Sequence, residues 1–178
     1  NSFCDYLFEE IVAMCRKKEE ERRKSMTKIL FVCHGNICRS PMAEFIMKDI
    51  VSKANLSKKY EIASAATSTE EIGNAVYPAA RRKLAAKGIS CQGKTARQMT
   101  KYDYSYYDYI VAMDDNNLRN MTRFVGTDPD NKVTKLLEHT SRGGGSVADP
   151  WYTGNFDITW DDIYDGCMGL LKEIEGEA

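Results

Sequence analysis

Residues 29–41 read Ile29-Leu30-Phe31-Val32-Cys33-His34-Gly35-Asn36-Ile37-Cys38-Arg39-Ser40-Pro41. The first four are an unbroken apolar run rich in strand formers, typical of a strand buried on both faces. Ser40-Pro41 carries a helix-start signal, because serine can cap a helix and proline suits its first turn. Between strand and helix the loop 33–40 must turn sharply. Gly35 and Asn36 are residues that tolerate the positive φ of such a turn.

Outward from this stretch the same alternation repeats. Met42, Phe45, Ile46 and Ile50 continue one helical face. Residues 60–66 form a second strand candidate, and residues 78–87 a helix that Gly88 closes as a left-handed stop. Residues 109–113 read as a third strand, 116–124 as a helix and 132–137 as a fourth strand. A last helix over 160–174 turns Ile163, Cys167, Leu170, Leu171 and Ile174 inward. Strands alternating with helices imply right-handed crossovers and a parallel sheet covered on both sides. In such sheets ligands sit beyond the carboxyl ends of the strands, where the strand order reverses, so the loop after the first strand is the first place to look. Gly143-Gly144-Gly145 reads as a flexible tip, not a linker between domains.

The loop itself suggests chemistry. A strand delivers Cys33 to the sheet edge, and a helix beginning near Arg39 aims its free N–H groups and the positive end of its dipole back at the loop, which makes an anion site. The same field favours a thiolate, so Cys33 is expected to act as a nucleophile without a histidine partner. Arg39 supplies a planar fork that fits two phosphate oxygens as lysine cannot. Ser40 can donate a hydrogen bond to the sulfur when it departs. A cysteine and an arginine at this spacing are weak evidence alone; strand before, helix after and Gly-Asn between sharpen it. The plain alternative for Cys33 is a small buried apolar residue.

Composition bounds the rest. A chain of 178 residues, 43% apolar and 29% charged, suits one domain or a domain with an appendage. A net charge of −1 gives no basic stripe for nucleic acid, and no apolar run approaches the roughly 20 residues of a membrane span. Six cysteines and two histidines, with no Cys-x-x-Cys pair, favour neither a disulfide framework nor zinc. The start shows no basic leader before an apolar stretch, so free thiols in the cytoplasm are expected. Residues 1–25 differ in character: Phe3, Leu7, Ile11 and Met14 fall at helical spacing, and residues 16–24 are almost wholly charged. They read as an amphipathic helix running into a solvated charged tail, either an extension without catalytic work or a helix for docking or self-association. The division expected is 1–25 as a helical extension and 26–178 as the domain.

Cys33-His34-Gly35-Asn36-Ile37-Cys38-Arg39-Ser40-Pro41 resembles the Cys-x-Gly-Asn-x-Cys-Arg-Ser-Pro signature of the low-molecular-weight protein tyrosine phosphatases. The similarity runs through Ser64-Ala65-Ala66-Thr67-Ser68, Ala96-Arg97-Gln98, Met113-Asp114 and Asp149-Pro150-Trp151-Tyr152, covering about residues 27–175. The resemblance implies an α/β fold of three αβα layers, with a four-stranded parallel sheet in the flavodoxin-like order 2-1-3-4 and a phosphate loop after the first strand. It implies hydrolysis of phosphotyrosine through a cysteinyl-phosphate. Cys33, Arg39 and Asp149 would be catalytic, and His34, Gly35, Asn36, Ile37, Cys38, Arg39 and Ser40 would surround the phosphate. Asn36, Ser40 and Ser64 would support the loop, and Glu70, Trp151 and Tyr152 would form the substrate wall. On its own Asp149-Pro150 is only a turn signal; the role of general acid comes from the resemblance. So does a reversible Cys33–Cys38 disulfide that would shield the nucleophile. No cofactor or metal is implied; the expected partners are phosphotyrosyl proteins and loop-bound oxyanions, and the expected state is a monomer.

The chain departs from the pattern at three places. Many members have an aromatic residue where Glu70 stands, some a histidine at Lys94, and some an aspartate at Ala63. Rival readings on the same scaffold are an arsenate reductase, which needs relay cysteines where only Cys91 is present, and a protein-arginine phosphatase, whose members tend to have threonine at the place of Ile37. A phosphate-binding module without catalysis is the rival from another class.

Overall fold

The strands β1 (Thr27–Cys33), β2 (Tyr60–Ala66), β3 (Tyr109–Ala112) and β4 (Val133–Lys135) pair in parallel throughout. Their order is β2-β1-β3-β4, the expected one. This computed structural model describes residues 2–177; Asn1 and Ala178, the outer ends of the two expected segments, lie outside the described residues. β1 is central, and its alternate residues serve two cores. Ile29, Phe31 and Cys33 face α2 (Arg39–Lys53), α3 (Pro78–Ala86) and α7 (Phe156–Glu177), while Leu30 and Val32 face Met121 and Val125 of α5 (Asp115–Val125). The unbroken apolar run is thus a strand covered on both sides.

Helix α2 begins at Arg39, as the loop required, but Ser40 does not cap it. Cys38 occupies the cap position without a side-chain bond, and Pro41 stands third in the helix. The Ser40 hydroxyl is instead turned onto the Cys33 sulfur. α3 stops as expected, with Gly88 at φ 75° and the N–H of Ile89 reaching back to the carbonyl of Leu84.

Other expectations need correcting. The fourth strand ends at Lys135, because Leu136 and Leu137 coil into a 3₁₀ turn (Leu136–His139) and bury beneath α7. Gly166 and Gly169 allow that approach, since a Cβ on either would collide with Leu136 or the His139 carbonyl. His139, whose side chain is mostly buried, bonds Thr134 at 2.7 Å and Glu173 at 2.5 Å. Two short helices had no expectation: α4 (Lys101–Tyr106), opened by the Thr100–Asp103 capping box, and α6 (Pro150–Thr153). At the front, α1 is one helix, Ser2–Ser25, and the charged part is its second half, not a tail. Among the described residues no helix is long and apolar enough to cross a membrane.

Candidate active site

The loop after β1 opens where the chain leaves the central strand for β2 on one side and, later, β3 on the other. Asn36 supplies the positive φ of the turn, 58°. Gly35, expected to share that role, has no positive φ; its bareness serves a close approach, since a Cβ would sit 3.3 Å from Glu71 Cγ.

Cys33 is buried, and its sulfur lies 3.3 Å from the Asn36 backbone nitrogen and 2.9 Å from Ser40 Oγ. A directed chain of hydrogen bonds ends on that sulfur. Glu44 Oε1 accepts from the Ser64 hydroxyl at 2.6 Å, so Ser64 Oγ is left to accept from Asn36 Nδ2 at 2.9 Å. The second amide hydrogen of Asn36 goes to Ser40 Oγ at 2.8 Å, which frees the Ser40 hydrogen for the sulfur. Asn36 Oδ1 in turn accepts from the Arg97 backbone N–H. Glu44 sits on the buried side of α2 with Lys94 at 3.0 Å and Lys48 at 2.7 Å. Burial pushes its carboxyl up, but the two ammonium groups and Ser64 more than offset this and hold it below its ordinary value. The sequence reading missed Glu44. Its signal was a carboxylate four residues after Ser40 and four before Lys48, between the inward apolar residues Met42, Ala43, Ile46 and Met47.

Arg39, 4% exposed, lies on the other side of the sulfur. Its Nη1 donates to Asp114 Oδ2 at 2.7 Å and to the Val147 carbonyl at 3.2 Å, and its Nη2 to Asp149 Oδ2 at 3.1 Å. Burial disfavours the guanidinium charge; Cys33, Asp114 and Asp149 beside it outweigh that and push its pKa up. Asp149 also accepts from the Trp151 N–H, starting α6, and Asp114 caps α5 through Asn117. Asp114 was noted in sequence only as part of a matching pair; here it grips the arginine. Cys38 is the opposite of a reactive thiol. Burial, and then the neighbouring Cys33, push it up to about 12, so it stays protonated at neutral pH.

These groups line one cleft of about 790 Å³. Cys33, Gly35, Ile37, Cys38 and Arg39 form its floor, with Asn36, Ser40 and Ser64 behind them. Glu70, Glu71 and His34 stand on one rim, where His34 Nε2 lies 3.0 Å from Glu70. The His34 side chain therefore points to the rim and not into the loop. Trp151 and Tyr152 stand on the Asp149 side, exposed, with Trp151 edge-on to Tyr77 at 5.5 Å between centroids. Among the described residues no group of three His, Cys, Asp or Glu side chains is placed to hold a metal ion.

A sulfur, an inward guanidinium and a carboxylate around one anion loop define a class: phosphate-ester enzymes with a cysteine at the floor. The sequence model of the family described as low molecular weight phosphotyrosine protein phosphatase matches residues 28–178, and the chain belongs to that family. It is 39% identical to the Bacillus subtilis low molecular weight protein-tyrosine-phosphatase YfkJ, across 85% of this chain and 98% of the relative. The crystal structure of YfkJ superposes with a TM-score of 0.82, covering 86% of this chain and 97% of that one. The human low molecular weight phosphotyrosine protein phosphatase is 37% identical over 84% of this chain and 94% of its own. A crystal structure described as a Drosophila arginine phosphatase is 28% identical with a TM-score of 0.76, covering 85% and 100%.

Proposed function

We propose that the chain hydrolyses phosphotyrosine in proteins through a cysteinyl-phosphate, with Asp149 as general acid. The observation behind this reading is the meeting in one cleft of the Cys33 sulfur, the buried Arg39 fork and the Asp149 carboxylate 3.1 Å from that fork.

In the first step Cys33 Sγ forms a bond to phosphorus as the bond from phosphorus to the phenolic oxygen breaks. Asp149 gives that oxygen a proton. Tyrosine's phenol has an ordinary pKa of about 10, so this proton is worth roughly 10²–10⁴ in rate. Loop N–H groups at the head of α2 and the Nε–H and Nη2–H donors of Arg39 take the charge of the remaining phosphoryl oxygens. Asp114 and the Val147 carbonyl hold one arm of that fork, so it stays aimed while Asp149 turns to the leaving oxygen. In the second step the Asp149 carboxylate takes a proton from the water attacking phosphorus, and the sulfur–phosphorus bond breaks. The Ser40 hydroxyl, already oriented by Asn36, stabilises the departing thiolate. Trp151 and Tyr152 flank the phenyl ring, and half-buried Ile37 gives the floor an apolar edge that suits a ring better than the charged chain of phosphoarginine.

Cys33→Ser is expected to keep binding a phosphotyrosyl peptide while losing turnover by about 10⁴-fold or more; full activity without that sulfur would end the reading. Asp149→Ala should slow phenyl phosphate by roughly 10²–10³ and p-nitrophenyl phosphate far less, because p-nitrophenolate leaves unaided. Equal losses would remove Asp149 from its role. Side-by-side rates on phosphotyrosine, phosphoarginine and arsenate separate this reading from its rivals.

A further inference from the structure

The charge of the cleft lining is lopsided. Among the described residues that line it, Arg39 is the only lysine or arginine, and it is buried and turned inward onto Asp114 and Asp149. The rim, where a peptide would run past the phosphorylated residue, carries Glu70 and Glu71, with His34 paired to Glu70, and among the described lining residues no lysine or arginine stands there. Glu70 is well exposed, its side chain 69% accessible, and its contact is His34, itself exposed. Glu71 is steadied against Gly35 and by Asn74, which donates to it at 2.6 Å. The anion site lies below, formed by the loop and Arg39, so a ligand with a phosphoryl group is held on the floor whatever the rim does.

We propose that Glu70 and Glu71 select phosphotyrosine sites flanked by lysine or arginine and disfavour sites flanked by aspartate or glutamate. This rests on the phosphotyrosine reading above and names its substrate class. Neighbours in an extended peptide lie about 3.3 Å apart along the chain, so one or two residues on either side stay within reach of the rim while the ring occupies the cleft. Long basic side chains can meet the two carboxylates there. Acidic ones meet like charge over a low-dielectric wall.

The test uses two phosphotyrosyl peptides, identical except that the flanking residues are lysine in one and glutamate in the other. For the wild-type chain at low ionic strength kcat/KM should favour the lysine peptide by about 3–10-fold, the scale of two exposed charge pairs. The preference should shrink toward unity as salt shortens the Debye length to about 3–5 Å. In Glu70→Gln/Glu71→Gln the ratio, taken within the variant so that any loss common to both peptides cancels, should fall to near one. A wild-type ratio of one or less, a ratio indifferent to salt, or one retained in the double variant would overturn the proposal. If the double variant does not fold, the salt series on the wild type decides. Turnover of p-nitrophenyl phosphate, which has no flanking residues, separates the two failures. Its absence in the wild type would sink the phosphatase reading, whereas turnover with no peptide preference sinks only this one.

Discussion

Helices α1 and α2 flank the same strand, β1, and they are opposites. α1 leaves Phe3, Tyr6, Phe8, Ile11 and Met14 exposed and pairs polar side chains along its own surface, Tyr6 to Glu10, Arg22 to Glu19 and Lys24 to Glu20, while the charge of Arg23 is felt at Tyr106 of α4. α2 buries Arg39, Ser40 and Glu44 among its apolar residues. Apolar content does not decide burial here; position does. α2 follows β1, and the right-handed crossover to β2 lays it over the sheet, whereas α1 precedes β1 and has no sheet face above it. A polar group buried in this way costs several kcal/mol unless it is paired, so the buried polar side chains of α2 come with partners already in place. Those pairs are where substitution should hurt.

Among the buried pairs of α2 the largest effect should come from Arg39→Lys. Lysine keeps the charge but cannot reach Asp114, Val147 and Asp149 with two arms at once, nor offer a planar pair of donors to phosphate. A fall in kcat/KM on p-nitrophenyl phosphate of about 10²–10³ is expected; a loss under tenfold would show that only charge is needed.

Glu44 sharpens the comparison in stability. Lys94→Met would leave its carboxylate buried with only Lys48 and Ser64, and a loss of up to about 3 kcal/mol by urea unfolding at pH 7 is expected. The pH dependence has a definite sign. Glu44 lies below its ordinary 4.5 in the folded chain, so its contribution is complete above that value and is lost as pH falls through the lower, folded one. The gap between wild type and Lys94→Met should therefore narrow as pH falls below about 4.5. A gap that stayed constant down to pH 3 would mean that Glu44 is not the group responsible.

What could be read in the sequence follows the same physics. β1, β2 and α7 were legible because apolar runs and 3.6-residue periods report burial directly. The loop was legible because Cys33, Asn36, Arg39 and Ser40 have few other reasons to stand together between a strand and a helix. Ser40 as a cap was a misreading: a capping oxygen would accept from a helix N–H, whereas here that oxygen accepts from Asn36 and its hydrogen is left for the Cys33 sulfur. Lys101-Tyr102-Asp103-Tyr104-Ser105-Tyr106 alternates polar and aromatic residues in a strand-like way, and only its Thr100–Asp103 box betrays a helix. Glu44, Lys94 and Asp114 were not assigned roles, because a carboxylate facing inward looks like a solvated one until its partners arrive from 20, 50 and 75 residues away.

The smallest effect should come from α1. Its second half alternates blocks of basic and acidic residues and makes i,i+3 and i,i+4 pairs on the helix surface, weak contacts screened by solvent and none of them in the cleft lining. Its large apolar residues Phe3, Tyr6, Leu7, Phe8, Ile11 and Met14 are exposed and only Val12 is half-buried, so they lend the sheet little buried area. Removal of residues 1–25 is thus expected to change kcat/KM on p-nitrophenyl phosphate by less than about twofold and the melting temperature by no more than about 2 °C, the range of surface changes that touch no core. The first residues of β1 are the sensitive place, because the Lys28 N–H donates to the Asp108 carboxylate and the Lys28 carbonyl accepts from the Asp108 N–H, and these bonds must survive the cut. A melting temperature lowered by 5 °C or more, with those bonds still protected in hydrogen exchange, would mean that α1 contributes to the folded body after all, and that position alone does not separate the two helices.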